Sequence, residues 1–554
     1  MSIVRVLPQV AAVLAALALL NASVTFYDVW PTPGIEWHGH LSVELAAAAL
    51  LLAFAAWWRP SGPNRWLVHG LAAAWMALVL GRYVDVMSPA LYGRPINLYW
   101  DMRHVGAVAA MMTDAVPTPL LLTAIAAVLL LLGVVFLATR WAFATVAGAM
   151  QIAVVRGGLA AMALAVCGQF AAQTAAGEAL PPVVVAPPVT VTYFQQARLV
   201  AMQMGGTASP IAAVRPRLDT DLGRVRGADV LLVFMESYGA VTVDRPAVAA
   251  PLAASRARFA ADVAATGRSV VSAMVDSPTF GGASWLAHIS LMTGVEARDE
   301  GANAALMSQS RDTLVSTFAH GGYRTVALMP GLGYAWPEGA FYGFDAIYDT
   351  EAMAYTGPRF GWWTVPDQFA LARLDVLEAS HDDRPRFVFF PTTSTHAPFA
   401  PTAPYQPDWP RLFSSEPYAA ADVTRELALV PNYLDMTPSY IRAVDYGLAS
   451  IGGYLRQHPE RDLVLVLIGD HQPAALVSGE GASWNVPVHV VASRPAVLEA
   501  LRRAGFRDGV TAERQAIGPM HALLPTLLSS FGTAPTRVAA TPAPTADRPV
   551  MELR

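Results

Sequence analysis

Two groups of polar residues follow predicted buried strands, and both carry side chains that bind metal ions. Glu236 comes directly after the apolar run Asp229–Met235, and Asp470 and His471 follow the run Leu463–Ile468. Carboxylate and imidazole groups together suit a hard-to-borderline divalent cation. One acidic residue at a strand end is common in any fold, but three such residues at two strand ends favour a metal site.

A serine between these two groups lies in a setting that suits a nucleophile. Ser284 follows a glycine-rich turn and opens a helical pattern. At the first turn of a helix, exposed N–H groups and the positive end of the helix dipole favour an anionic ester. A divalent cation on the hydroxyl would lower its pKa further. The same position also suits an N-cap serine without a catalytic role, and Thr279 is a rival nucleophile nearby.

A parallel α/β sheet is expected to position these residues. Continuously apolar runs predict strands that are buried on both faces, and six such runs lie at Asp229–Met235, Ser269–Val275, Thr325–Met329, Arg386–Phe390, Leu463–Ile468 and Val486–Val491. Helical patterns over Pro438–Arg456 and Gly518–Phe531 would cover the sheet. We therefore predict an α/β domain with a doubly wound, mainly parallel sheet over residues 227–533, in which active residues gather past the carboxyl ends of the strands.

We predict a membrane anchor of five helices over residues 1–177. A helix needs about 20 apolar residues to cross a bilayer, and this part of the chain contains five apolar stretches of about this length. The five stretches lie near Val4–Phe26, Leu41–Trp58, Trp66–Val84, Leu120–Leu137 and Gly157–Ala176. Arg5 precedes most of the first stretch, and further arginines lie in the loops between the second and third and between the fourth and fifth stretches. This distribution places the N-terminus inside and the α/β domain outside. Residues 178–226 predict a linker with a connecting helix, and residues 534–554 a disordered tail.

Composition argues against nucleic-acid binding and against chemistry that depends on cysteine. The net charge of -5 argues against nucleic-acid binding. The single cysteine, Cys167, lies in an apolar run, which removes disulfides and cysteine-based chemistry from the outer part of the chain.

The stretch that starts at Ser284 resembles the sulfatase signature, which begins with a Cys or Ser nucleophile and ends with Thr-Gly, here Thr293-Gly294. The order of the candidate residues resembles the lipoteichoic acid synthases and phosphoethanolamine transferases of the alkaline-phosphatase/sulfatase superfamily. Further segments resemble the lipoteichoic acid synthase pattern, namely Gly322 to Thr325, Trp336, Gly343 to Asp345, Pro366 to Phe369 and Ser394 to Phe399. The resemblance covers most of the chain, including the five-span anchor.

The resemblance implies one divalent metal ion (manganese, magnesium or zinc) held by Glu236, Ser284, Asp470 and His471. It also makes Ser284 the nucleophile. His396 would hold the substrate phosphate or assist the leaving group, and a solvent-facing loop histidine is the alternative. Trp336 would form a wall of a glycerol-sized pocket, and a core tryptophan is the alternative.

Three positions depart from the family patterns and bear on the reaction. Ser284 stands where the transferases have Thr, and Leu286 and His288 stand where sulfatases carry the Pro and Arg on which formylglycine formation depends. Sulfate-ester hydrolysis through an activated aldehyde is therefore not expected, whereas an unmodified serine suits phosphoryl-type transfer.

The implied function is a phosphotransferase of the bacterial inner membrane with its catalytic domain on the periplasmic or extracellular side. It would move a phosphoglycerol or phosphoethanolamine head group from a membrane phospholipid through Ser284 to an envelope glycan or lipid. The alternatives are a hydrolase of sulfate esters or phosphodiesters, and a catalytically inert membrane protein that binds glycan or lipid. The sequence leaves the donor, the acceptor, the metal and the oligomeric state open.

Overall fold

The computed structural model describes residues 3–533 with short gaps, at 30–33, 60–63, 93–95, 103–104, 107–108, 110–112, 114–117, 177–184, 205–209, 334–335, 362 and 382. The chain divides into two compact units, Met1–Thr207 with Ala474–Ala482, and Ala208–Pro473 with Ser483–Arg554. The predicted tail and the proline-rich start of the predicted linker lie outside the described residues.

The first unit is helical. Its helices are α1 (Ile3–Ala22), α2 (Val43–Trp58), α3 (Arg65–Tyr92), α4 (Leu98–Asp101), α5 (Thr118–Ala149), α6 (Ala153–Ala176) and α7 (Val189–Met204). An antiparallel hairpin of β1 (Phe26–Val29) and β2 (Gly34–Trp37) follows α1. Small and apolar side chains of α1, α2, α3, α5 and α6 form the core of this unit.

Three helical stretches among the described residues are long and apolar enough to cross a membrane: Arg65–Pro89, Thr118–Ala149 and Ala153–Ala175. The first two predicted spans are also helical, but their apolar stretches, Leu7–Ala22 and Val43–Trp58, are shorter. A membrane anchor is thus supported by three helices, and the count of five spans and their orientation stay predictions.

The second unit is built on a nine-stranded sheet. Its strands are β3 (Asp229–Met235), β4 (Ser269–Asp276), β5 (Arg324–Leu328), β6 (Ala346–Tyr348), β7 (Arg386–Pro391), β8 (Leu463–Gly469), β9 (Asn485–Ala492), β10 (Arg507–Asp508) and β11 (Ala516–Pro519). Their order is β10-β4-β9-β8-β3-β7-β5-β6, with β11 beside β4. All six predicted strands are present, and every residue of β3 and β8 is buried, as expected for strands covered on both faces.

The sheet is mixed, which corrects the prediction for one strand. β3 is parallel to β7 and β8, whereas β9 runs antiparallel to both β4 and β8. The expectation that Val486–Val491 is a parallel strand was wrong, because a continuous apolar run reports burial on both faces and carries no information on direction. The link from β8 to β9 contains only the one-turn helix Ala475–Ser478, instead of the longer crossover helix typical of parallel neighbours.

Helices surround this sheet. They are α8 (Val241–Asp244), α9 (Pro246–Ala249), α10 (Ala253–Ala265), α11 (Ser284–Thr293), α12 (Glu300–Met307), α13 (Leu314–His320), α14 (Pro337–Tyr342), α15 (Thr350–Met353), α16 (Asp367–Glu378), α17 (Ala420–Leu427), α18 (Thr437–Gln457), α19 (Pro495–Arg503) and α20 (Met520–Phe531), with 3-10 turns at Pro210–Ala213 and Trp409–Phe413. α11 packs against α20, and α18 packs against α10 and α16. The contact with α20 holds α11, the helix that carries Ser284, against the domain.

Gly469, the last residue of β8, lies in close contact with the turn after β3. A Cβ atom at this position would come within 1.8 Å of the Tyr238 carbonyl oxygen, which is backbone and cannot move aside. We predict that Gly469→Ala lowers the free energy of unfolding by about 3 kcal/mol through overpacking. Thermal and denaturant unfolding of the full chain in detergent measures this change.

Gly518→Ala is the matched control, because a Cβ at Gly518 would meet nothing within 4 Å. It should change the stability by less than about 0.5 kcal/mol. Equal stability changes in the two variants would contradict the close approach of Gly469 to Tyr238.

Candidate active site

Adjacent strand ends bring the predicted metal ligands together. β3 and β8 pair so that Met235 lies opposite Gly469, and the next residues, Glu236 and Asp470, therefore leave the sheet side by side. One ligand atom each from Glu236, Asp470 and His471 lies within 4.8 Å of the other two. Residues far apart in the sequence thus form one cluster of two carboxylates and an imidazole at the carboxyl edge of the sheet.

Ser284 joins this cluster through its hydroxyl group. It is the first residue of α11, and its Oγ donates a hydrogen bond to Glu236 Oε2 at 2.7 Å and lies 3.2 Å from His471 Nε2. The N-cap position belongs to Ala283, so Ser284 does not act as an N-cap. The rival nucleophile Thr279 is buried, and its Oγ1 donates to the Gly282 carbonyl at 2.7 Å, where it closes the turn before α11.

Hydrogen bonds tie the loop before Ser284 to the segment that carries Asp470 and His471. Ser277 Oγ donates to the Asp470 carbonyl at 2.6 Å, and the Gly281 N–H donates to the Gln472 carbonyl at 3.1 Å. These two contacts fix the loop before Ser284 relative to the segment 470–472, so the position of Ser284 does not depend on α11 alone.

The turn after β3 is fixed in the same way. The Ser237 N–H donates to Asp470 Oδ1 at 2.8 Å, and Ser237 Oγ donates to Glu236 Oε1 at 3.1 Å. The Glu236 N–H donates to Thr392 Oγ1, just past the end of β7, at 3.1 Å. Three neighbouring strands therefore hold the carboxylates in place, which is the rigidity that a small cation site requires.

The electrostatics of the cluster favour a bound cation. Burial by itself lowers the pKa of His471, but Asp470 and Glu236 outweigh burial and raise this pKa to about 9. Burial, reinforced by the neighbouring Glu236, raises the pKa of Asp470 well above its usual value. Although burial acts to raise the pKa of Glu236, His471 holds it below its usual value. Two buried carboxylates therefore share the positive charge of a single protonated histidine, His471. A divalent metal ion would compensate both carboxylates without requiring this proton.

The orientation of His471 also fits a metal ligand. Its Nδ1 lies 2.7 Å from the Gln472 carbonyl oxygen, which can only accept a hydrogen bond, so Nδ1 carries the proton. Nε2 then points to the cluster, 3.3 Å from Glu236 Oε1 and 3.8 Å from Asp470 Oδ1. A metal-binding histidine usually donates a hydrogen bond from its other ring nitrogen to a carboxylate, a backbone carbonyl or water, which fixes the orientation of the ring.

Comparison with known families agrees with the resemblance found in the sequence. Residues 261–511 match the sulfatase family model. The chain therefore carries a sulfatase-family domain. Together with the mixed sheet, the match gives the second unit an alkaline-phosphatase-like fold. The matched stretch includes Ser284, His396, Asp470 and His471, whereas Glu236 precedes it.

Solved structures give weaker likenesses, and no curated protein matches the sequence. The integral membrane lipooligosaccharide phosphoethanolamine transferase A of Neisseria meningitidis is 12% identical, with 94% of this chain and 95% of that chain covered and a TM-score of 0.47. The Streptococcus pyogenes phosphoglycerol transferase in complex with sn-glycerol-1-phosphate is 13% identical, with coverage of 62% and 87% and a TM-score of 0.35. The lipoteichoic acid synthase of Listeria monocytogenes is 14% identical, with coverage of 51% and 69% and a TM-score of 0.35. At these TM-scores the likenesses carry no argument about function.

His396 borders a pocket in the sulfatase-family domain, just beyond the end of β7. The pocket is also lined by Phe360, Trp363, Ser394 and Phe399. The Trp363 and His396 rings meet edge to face with centroids 5.3 Å apart. His396 is close enough to Glu236 to contribute to the lowered pKa of that carboxyl group. Its place beside the cluster is compatible with the predicted contact to a substrate phosphate, which stays a prediction.

Trp336 lies among core aromatics. Its ring is stacked with those of Phe344 and Phe389, with centroids 6.2 and 6.4 Å away, and it packs against the main core of the domain. These contacts favour the alternative of a core tryptophan, and a role for Trp336 in a substrate pocket is left as a prediction. Trp363, which sequence reasoning did not single out, is the tryptophan that contacts His396.

Two further histidines of the domain, His489 and His288, have other roles. Both ring nitrogens of His489 are engaged, with Nε2 3.1 Å from the Tyr238 hydroxyl and Nδ1 2.6 Å from Ser272 Oγ. His288 packs against the Phe234 and Phe389 rings, and burial lowers its pKa to about 3. It therefore remains neutral, unlike the arginine that sulfatases carry at this position.

Two residues beside the cluster adopt left-handed backbone conformations that only glycine adopts without strain. Ser237, next to Glu236, has a φ of 55°, and Ala283, next to Ser284, has a φ of 59°. Such residues cost roughly 1 to 3 kcal/mol and are concentrated at functional sites. Sequence reasoning missed both, because neither residue type signals a left-handed conformation.

We predict that Ala283→Gly raises the free energy of unfolding by about 1 kcal/mol, since glycine removes the strain at this position. Thermal unfolding of the full chain checks the sign of the change. Ala250→Gly is the control, because Ala250 has a right-handed helical backbone with φ −68° and ψ −47°. There the same substitution should destabilise by about 0.5–1 kcal/mol, and two changes of equal sign would contradict strain at Ala283.

Proposed function

We propose that this protein is a metal-dependent membrane phosphotransferase that moves a phospholipid head group through a covalent Ser284 intermediate. The observation that carries the proposal is the hydrogen bond from Ser284 Oγ to Glu236 Oε2, with His471 Nε2 at 3.2 Å and Asp470 beside it. A serine hydroxyl aimed at clustered ligands can attack a phosphorus atom, whereas a serine that only caps a helix would point to backbone N–H groups.

The residues present fit one divalent ion, manganese, magnesium or zinc, held by Glu236, Ser284, Asp470 and His471. Such an ion would lower the pKa of the serine hydroxyl and neutralise charge that develops on the phosphate oxygens. Glu236 Oε2 accepts the Ser284 hydroxyl hydrogen bond, so this carboxylate is placed to take the proton as Oγ attacks.

The first half-reaction forms a bond between Ser284 Oγ and phosphorus and breaks the bond from phosphorus to the diacylglycerol oxygen. Diacylglycerol leaves with a proton, and the head-group phosphate stays on the serine. In the second half-reaction a hydroxyl of the acceptor loses its proton and attacks phosphorus, the bond from phosphorus to Ser284 Oγ breaks, and the serine oxygen takes up a proton. His396, which influences the pKa of Glu236 and lines the adjoining pocket, would hold the phosphate or protonate the leaving oxygen.

The membrane setting supports a phospholipid donor. Three helices of the same chain are long and apolar enough to cross a bilayer, so the enzyme and a phospholipid share one surface. We infer a bacterial inner-membrane location with five spans, an outer catalytic domain and an envelope glycan or lipid as acceptor. The head group is phosphoglycerol or phosphoethanolamine, the two transferable groups that the sequence resemblance implies.

The test of this proposal is the intact mass of the full chain in detergent after exposure to phosphatidylglycerol and phosphatidylethanolamine. We expect an adduct with the mass of one head-group phosphate. Ser284→Ala should abolish this adduct and lower turnover by roughly 1,000-fold or more. Thr279→Ala is the control and should keep the adduct. An adduct that survives in Ser284→Ala would sink the assignment of the nucleophile.

Transfer and hydrolysis are separated by the fate of a labelled head group. With labelled phospholipid alone, a transferase should stop at the serine adduct, and label should leave only after a membrane acceptor fraction is added. Rapid release of the free head-group phosphate in the absence of acceptor would identify a hydrolase instead.

Metal content tests the ligand set separately. We predict about one divalent ion per full-length chain by elemental mass spectrometry. Asp470→Asn should weaken metal affinity by about 100-fold or more, since even residues that only support the ligands contribute 10–100-fold to this affinity. Ser284→Ala should keep the ion, because three ligands remain. Asp276→Asn, whose carboxylate faces Arg298 outside the cluster, should also keep it. Full metal occupancy in Asp470→Asn would contradict the site.

A further inference from the structure

A groove in the first unit combines an apolar floor with a polar end. It has a volume of about 430 Å³. The last turns of α2, from Leu51 to Arg59, form most of its lining, and the start of α3, the end of α5 and the segment after α5 complete it. Leu52, Ala56, Val68 and Ala147 are buried and form its floor. From Leu51 to Arg59 the groove follows α2 for about 12 Å.

Polar side chains occur at one end of this groove. Arg59, Asn64 and Gln151 lie where α2 ends, α3 begins and α5 gives way to α6. Along the helices, in contrast, the lining is apolar. An apolar channel that ends in a guanidinium and two amides matches a molecule with a hydrocarbon chain and an anionic head.

The charge around this end is strongly positive. The segments 59–69 and 138–157 contain four arginines (Arg59, Arg65, Arg140 and Arg156) and no acidic residue. Where partners are present, they are uncharged: Arg140 Nε donates to His69 Nε2 at 3.1 Å, and Arg156 Nη1 donates to the Met150 carbonyl at 3.2 Å. No arginine of this group pairs with a carboxylate among the described residues, so the end attracts an anion.

Tryptophans mark the same end as the level of lipid head groups. Trp57, Trp58 and Trp66 lie at the end of α2 and the start of α3 and are largely exposed. Trp is enriched where a membrane-spanning helix meets the polar region of the bilayer. Two of the three helices that form the groove, α3 and α5, include stretches long and apolar enough to cross a membrane, so lipid is expected around the groove.

We propose that this groove binds one anionic phospholipid, with an acyl chain on the floor formed by α2, α3 and α5 and its phosphate at Arg59. Gln151 and Asn64 supply amide hydrogen bonds to the head group. The groove belongs to the first unit alone and does not involve the catalytic cluster. It is therefore a second lipid site, separate from the proposed donor site, and it anchors or stabilises the helical unit.

Native mass spectrometry and thermal unfolding of the full chain in detergent test this site, with phosphatidylglycerol as the probe and phosphatidylcholine as the neutral comparison. We expect phosphatidylglycerol to raise the melting temperature in a concentration-dependent way and to appear as a one-lipid adduct. Arg59→Gln should weaken this binding about fivefold. Arg65→Gln is the matched control, since Arg65 lies over the Trp66 ring and outside the groove.

A second pair of variants tests the apolar part. Ala55→Trp fills the groove from a partly exposed position on α2 and should abolish the adduct, while Ala47→Trp, exposed on the same helix outside the groove, should not. Equal binding by Arg59→Gln and Arg65→Gln, equal stabilisation by both lipids, or an adduct that survives Ala55→Trp would overturn the proposal. Because Ser284→Ala leaves the groove intact, loss of catalysis and loss of this lipid are independent results.

Discussion

The candidate active site is organised around two buried carboxylates that lie next to each other. Glu236 and Asp470 follow paired residues of neighbouring strands, and both are almost completely removed from water. Like charges at this distance in a buried site are costly unless a cation or a proton compensates them. His471, the Ser237 N–H and the Ser284 hydroxyl all contact these carboxylates, and the remaining negative charge favours a cation at this position.

The surrounding structure can be understood as support for this costly arrangement. Hydrogen bonds from Ser277 and Gly281 join the loop before Ser284 to the segment 470–472, and Thr392 connects Glu236 to a third strand. Left-handed backbones at Ser237 and Ala283 store strain on both sides of the cluster. The large buried core of the domain can sustain such local costs, because each is small compared with the burial of the central strands.

Much of this could be predicted from the sequence, for a physical reason. Continuous apolar runs locate buried strands, and the first polar residue after such a run must lie at an edge of the sheet, which gave Glu236, Asp470 and His471. Strand direction could not be predicted, as β9 demonstrates, because burial on both faces is the same for either direction. The contacts of Trp336 and Trp363 also could not be predicted, since a tryptophan in a loop packs wherever the tertiary structure leaves apolar surface.

The hydrogen bond from the Ser237 N–H to Asp470 joins residues that are 233 positions apart in the chain. During synthesis, the half of the site that contains Glu236 and Ser284 is made long before the other half exists. A partly made chain therefore contains Ser284 without Asp470 and His471, two of the partners that the proposed metal site requires. On the proposed mechanism, Ser284 would become reactive only after β8 has joined β3 and brought Asp470 and His471 to the site.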